Sequence, residues 1–139
     1  MVKITAEYTG SLHCSAHHGP SGSAVETDAP RDNQGLGEAF SPTDLVGAAL
    51  ASCAMTIMAI VARREGLELK GMTAELEKGM VADPLRRIGS LLLRIKVPGE
   101  LTDDQKHLLE DAARTCPVGA SLREDIDATI TFDYPGAQG

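Results

Sequence analysis

Aromatic residues are nearly absent: the 139-residue chain has no tryptophan, two phenylalanines (Phe40, Phe132) and two tyrosines (Tyr8, Tyr134). It therefore offers no row of rings on which bases or sugars could stack. An excess of positive charge is missing too. Thirteen Lys and Arg against twenty Asp and Glu give a formal charge of −7, so neither nucleic acid nor an anionic membrane is expected as a partner. No Cys-x-x-Cys occurs, and three cysteines (Cys14, Cys53, Cys116) cannot all pair within one chain, which argues against a disulfide scaffold. There is no Gly-x-Ser-x-Gly elbow for a serine hydrolase. Gly35-Leu36-Gly37 lacks the third glycine and the strand–turn–helix setting of a phosphate loop. The segment Met1-Val2-Lys3-Ile4-Thr5-Ala6-Glu7 carries charges where a signal peptide needs an apolar run. A cytoplasmic protein with reduced thiols is expected.

What is present suits one domain over residues 1–139, with 42% apolar and 24% charged residues. Val2 to Thr9 alternates as a strand, with Val2, Ile4, Ala6 and Tyr8 on one face. Gly10-Ser11 turns into a second strand near Leu12–His17, and Ser23 to Thr27 makes a third, completing an antiparallel meander. Asp28 to Phe40, rich in Gly, Asp, Asn and Pro, reads as a loop. Two long strands are expected over Leu69–Val81 and Ile88–Val97, then a helix capped at Thr102. Pro117 starts a second short helix, and Ile126–Phe132 forms a last strand. The order βββ-α-ββ-αα-β is an α+β layout.

Between these sheets stands an unusual helix. Ser41-Pro42-Thr43-Asp44 supplies an N-cap, a proline at the first helical position, and an N3 acid to close a capping box. Leu45 to Ala62 then carries no charge, until Arg63-Arg64-Glu65-Gly66 stops it. The run touches the length of a membrane span, but it is dominated by alanine and includes Ser52, Cys53 and Thr56, so insertion would be weakly driven. A helix apolar on all sides is otherwise a core helix. So small a domain can hardly wrap it, and a partner subunit is expected to do the rest.

Two cysteines could carry chemistry. Cys53 shares a helical face with Val46, Ala49, Leu50, Ile57 and Ile60; by position it is a core residue, and a buried free Cys behaves as a small hydrophobe. Cys116 directly precedes Pro117 at a helix start, where unpaired N–H groups lower a thiol pKa; a plain cap is the competing reading. His13, Cys14, His17 and His18 form the one dense cluster of candidate metal ligands in the sequence. No second ligand group accompanies them, and a surface hairpin is the simpler expectation.

The segments Ser41-Pro42-Thr43-Asp44-Leu45-Val46-Gly47-Ala48-Ala49-Leu50-Ala51-Ser52-Cys53 and Cys116-Pro117-Val118 resemble the paired motifs of the OsmC/Ohr family, (S/N)-P-x-(E/D)-L-x-x-A-A-x-x-x-C followed by C-P-V. The resemblance spans nearly the whole chain. It implies an intertwined homodimer, with antiparallel sheets wrapped around two long central helices. It also implies thiol-dependent reduction of organic hydroperoxides in an oxidative-stress response, with an external dithiol as reductant and no bound cofactor or metal. Carried over by position, Cys53 would attack the peroxide and Cys116 would resolve the sulfenic acid into a disulfide. The family activates its cysteine with an Arg oriented by a Glu. Arg31 stands at nearly the matching spacing, offset by about two residues, against the bland reading of a solvated loop Arg. The Glu position is Thr43 here, a departure typical of the less characterised OsmC-like branch. Asp44 is adjacent, though capping accounts for it, and Glu38 could substitute if the loop folds back. The alternative function is a non-catalytic protein binding a small hydrophobic ligand at the dimer interface. A metal-binding module on the His13–His18 hairpin is a third.

Overall fold

Along the described residues, 1–137, the computed structural model shows β1 (Ile4–Gly10), β2 (His13–His18), β3 (Ala24–Asp28), α1 (Pro42–Arg64), β4 (Thr73–Val81), β5 (Arg87–Lys96), α2 (Asp103–Arg114), α3 (Pro117–Ala120) and β6 (Ile130–Asp133). The sequence order is therefore the observed one. The chain divides into two units, Met1–Val46 and the part from Gly47 onward.

The first unit is the meander β1-β2-β3, antiparallel throughout. Gly10, Ser11 and Leu12 all take positive φ, 98°, 54° and 65°, to turn β1 into β2. The Leu12 amide donates to the Tyr8 hydroxyl at 3.2 Å, which fixes that turn. Register sets His13 opposite Asp28. Beyond β3 a short 3-10 turn, Arg31–Asn33, reverses the chain. The returning strand end is pinned by a Thr27–Phe40 bridge and by the Asp28 amide donating to the Phe40 carbonyl at 3.1 Å. The expected apolar face of β1 is open in the single chain: Val2, Ile4 and Tyr8 are each more than 60% exposed.

In the second unit α1 lies on a sheet of order β4-β5-β6. Gly47, Leu50, Ala54, Met58 and Ala62 make its buried stripe. A Cβ at Gly47 would come within 2.8 Å of Leu76 Cδ2, so the missing side chain lets the helix sit close on β4. Leu91, Leu93 and Ile95 of β5 bury one face, and Leu92, Arg94 and Lys96 point to solvent, as alternation demands. By length and composition alone α1 could cross a membrane; in the fold its buried stripe is core. Helix α2 opens with a capping box between Thr102 and Gln105 and buries Leu109 and Ala113.

Two strand starts and one strand pairing differ from expectation. Strand β4 begins at Thr73 rather than Leu69, because Gly71 at φ +95° and a Met72-to-Leu69 hydrogen bond of 2.9 Å form a turn there. Strand β6 begins at Ile130 rather than Ile126, although Asp127 already bridges to Ser90 and the inward alternation of Ile126, Ala128, Ile130 and Phe132 is kept. This second sheet is also mixed rather than wholly antiparallel. The α2–α3 segment crosses over and returns β6 parallel to β5.

Candidate active site

Cys53 and Cys116 meet in the second unit. Cys53 sits at mid-helix on α1, half-buried, one residue before the buried Ala54. Cys116 is fully buried as the N-cap residue of α3, with Pro117 at the first helical position. The two are free thiols and direct neighbours. Gly119 holds its backbone against the sulfur: a Cβ there would lie 3.5 Å from Cys116 Sγ and 3.7 Å from Leu50 Cδ1.

Electrostatics separate the two roles. Burial pushes the Cys116 thiol above its ordinary pKa, because charge is costly where water is excluded. The amides of Gly119 and Val118 pull it back only in part, while the Cys53 thiol pushes it up again as hydrogen-bond partner and as like charge. The expectation that a helix start would lower this pKa is thereby corrected. The amides are in place, but desolvation outweighs them. The accessible sulfur is Cys53, and Cys116 is the protonated neighbour beneath it.

A cleft of about 440 Å³ reaches Gly119, next to Cys116, and is lined by Leu50, Ala113, Arg114, Gly119, Ala128, Thr129 and Ile130. Gly119, whose backbone lies against Cys116 Sγ, connects this cleft to the buried thiol. The apolar walls suit an alkyl or aryl group, and Arg114 supplies a cation at the rim, 3.5 Å from Glu110 and 5.1 Å from the Phe132 ring. Sequence reasoning missed Arg114. Its only signal was a basic residue in the last turn of α2, which reads equally well as a dipole partner.

The other expected residues belong to the first unit. Asp44 Oδ2 accepts the Ser41 amide at 2.9 Å, and Ser41 Oγ accepts the Asp44 amide at 3.1 Å, completing the capping box. Thr43 Oγ1 lies 3.2 Å from Ser41 Oγ, at the same cap. Arg31 is exposed and donates from Nε to the Leu36 carbonyl at 3.1 Å, bracing its own loop. Glu38 does fold back, but onto His13, at 3.4 Å, rather than onto Arg31.

The His13–His18 cluster is dispersed. His17 faces Ser15 at 3.2 Å and His18 faces Ser21 at 2.5 Å, each within the hairpin. Cys14, on β2, is half-buried opposite Tyr8 and Thr27. His13 instead joins Asp28 and Glu38, two partners the sequence did not connect with it as ligands.

A family model described as OsmC-like protein matches residues 35–131. A crystal structure from Psychrobacter arcticus 273-4, named for osmotic stress induction and detoxification response, is 44% identical, covers 94% of this chain and 93% of that chain, and superposes with a TM-score of 0.87. The organic hydroperoxide resistance protein OhrB of Bacillus subtilis has the same fold at 18% identity, with 96% of this chain and 98% of that chain covered and a TM-score of 0.70. A protein of Acinetobacter baylyi is 27% identical over 126 residues, which are 84% of this chain and 88% of that protein.

Proposed function

Since the chain belongs to the OsmC-like protein family, whose members serve stress response and hydroperoxide resistance in general and are generally dimeric, we propose that it is a thiol-dependent peroxidase for organic hydroperoxides. The observation that carries this reading is the pairing of a reachable Cys53 with a buried, protonated Cys116; a cleft with apolar walls reaches Gly119 beside Cys116. The Cys53 thiolate attacks the terminal peroxide oxygen. The O–O bond breaks, the alkoxide leaves as alcohol after taking a proton, and Cys53 becomes a sulfenic acid. Loss of the Cys53 negative charge removes one of the influences that held Cys116 protonated. Cys116 then attacks the sulfenic sulfur, water leaves, and a Cys53–Cys116 disulfide forms. An external dithiol reduces that disulfide by exchange, with no bound cofactor. A reducing, cytoplasmic setting suits the cycle.

The family resemblance alone nominates Arg31 as the activating cation, since in this chain its Nε donates to the Leu36 carbonyl of its own loop; Thr43 holds the position where the family carries the orienting Glu. The functional unit is proposed to be a homodimer, in which a second copy covers the open stripe of α1. The test is turnover of cumene hydroperoxide with a dithiol donor. Cys53→Ser is expected to abolish it. Without the donor, Cys116→Ser is expected to consume one equivalent per chain and to leave Cys53 as a sulfenic acid that a nucleophilic trap labels, where the parent forms the disulfide. Undiminished turnover by Cys53→Ser would refute the proposal.

A further inference from the structure

A second cluster in the first unit, independent of the thiols, has the make-up of a metal site. His13 Nε2 lies 3.5 Å from Asp28 Oδ2 and 3.4 Å from Glu38 Oε1, and the three donor atoms all fall within 4.8 Å of one another. The His13 Nδ1 side is engaged with the Ser11 carbonyl at 2.7 Å, which leaves Nε2 to face the carboxylates. That is the outer-shell bond that fixes tautomer and ring orientation in metal-ligating histidines. Asp28 Oδ2 accepts the Glu38 amide at 2.9 Å, the kind of support a ligating carboxylate also receives.

The observation that points to a missing ligand is on Asp28. Its side chain is 0% exposed: Oδ2 faces His13 and accepts the Glu38 amide, and Oδ1 of the same buried carboxylate has no hydrogen-bond partner. An ionised carboxylate with an unsatisfied oxygen in the interior is costly unless a cation or donor completes it.

We propose that His13, Asp28 and Glu38 bind one divalent transition-metal ion of the zinc type. Ligand bonds of about 2.0–2.1 Å in a tetrahedron place the donor atoms about 3.3 Å apart. The separations of 3.4 and 3.5 Å match that edge. Two carboxylates and a neutral imidazole balance a 2+ charge, and the donor set of one nitrogen and two oxygens suits a borderline cation. Register and loop build the site together: His13 and Asp28 face each other across β2–β3, and the Thr27–Phe40 bridge brings Glu38 back over them. Asp28 forms the floor, while the Glu38 side chain, 60% exposed, leaves the site open to solvent. The ion would tie the Arg31 loop to the meander.

The competing arrangement is an imidazolium ion pair with no metal. Zinc titration of the reduced full chain by calorimetry, with elemental analysis after dialysis, separates the two. One equivalent of Zn2+ per chain is expected, with affinity reduced at least tenfold in His13→Gln and in Glu38→Gln and unchanged in Cys53→Ser. Both test positions reach solvent, and the His13 ring signals in NMR give a readout on the parent itself: added Zn2+ should shift them until one equivalent is bound. No stoichiometric uptake, uptake that survives both substitutions, or uptake lost only in Cys53→Ser would overturn the site.

Discussion

At the residue scale, the Cys116 thiol decides how the cysteine pair behaves with pH. Its pKa is raised in the folded chain, chiefly by burial. The unfolded chain releases this proton near the ordinary thiol value of about 8.5, while the folded chain still holds it. Between those two values the native state binds more protons than the unfolded state, so unfolding free energy falls as pH rises. Below the ordinary value the two states bind alike, and nothing is lost. Denaturant midpoints of the parent are therefore expected to drop above about pH 8.5 more steeply than those of Cys116→Ala. Parallel pH slopes for the two proteins would show that burial does not hold this proton. The same chemistry makes Cys53 the thiol that alkylates first, since it alone of the pair is reachable from solvent.

At the element scale, α1 is set by its first turn. Ser41 is 2% exposed and exchanges two hydrogen bonds with Asp44. Losing an N-cap serine costs about 1 kcal/mol. Ser41→Ala is expected to lower unfolding free energy by about that amount, and Asp44→Asn by a similar amount, with peroxide turnover per folded molecule unchanged. Thermal melts beside activity assays check this. An Asp44→Asn protein that melts like the parent but has lost turnover would give Asp44 a chemical role instead. This element was legible because capping is local: Ser, Pro and Asp stand at fixed offsets before an uncharged run. The start of β4 was not, because a turn at Gly71 competes with the apolar pattern of Leu69 and the next residues. Nor was the His13–Asp28–Glu38 cluster, which depends on strand register and on a loop that returns over β3. The Cys53–Cys116 encounter joins α1 to α3 across 63 residues of chain, counting 116 minus 53. It came from the resemblance, not from spacing.

At the scale of the whole molecule, the surface left open by one chain is the largest physical question. Only 28% of the apolar window of α1 is buried. Ala48, Ser52, Thr56 and Ile60 form an exposed stripe along it, four residues apart. The two hydroxyls on that stripe are already spent on the helix: Ser52 Oγ donates to the Ala48 carbonyl at 2.8 Å, and Thr56 Oγ1 to the Ser52 carbonyl at 2.7 Å. What remains outward is small, apolar and groove-like, the surface on which a second helix packs closely. Ile4 and Tyr8 on β1, with Val2 just before it, add further open apolar area, more than a monomer keeps in contact with water without a reason. A carboxylate placed on the stripe would be buried unpaired in a dimer and harmless in a monomer. Thr56→Glu is therefore expected to convert a dimer, seen by sedimentation, into a folded monomer whose melting temperature no longer rises with protein concentration. A parent chain that sediments as a monomer at tens of micromolar, or a Thr56→Glu chain that remains dimeric, would mean that something other than a second copy covers this helix.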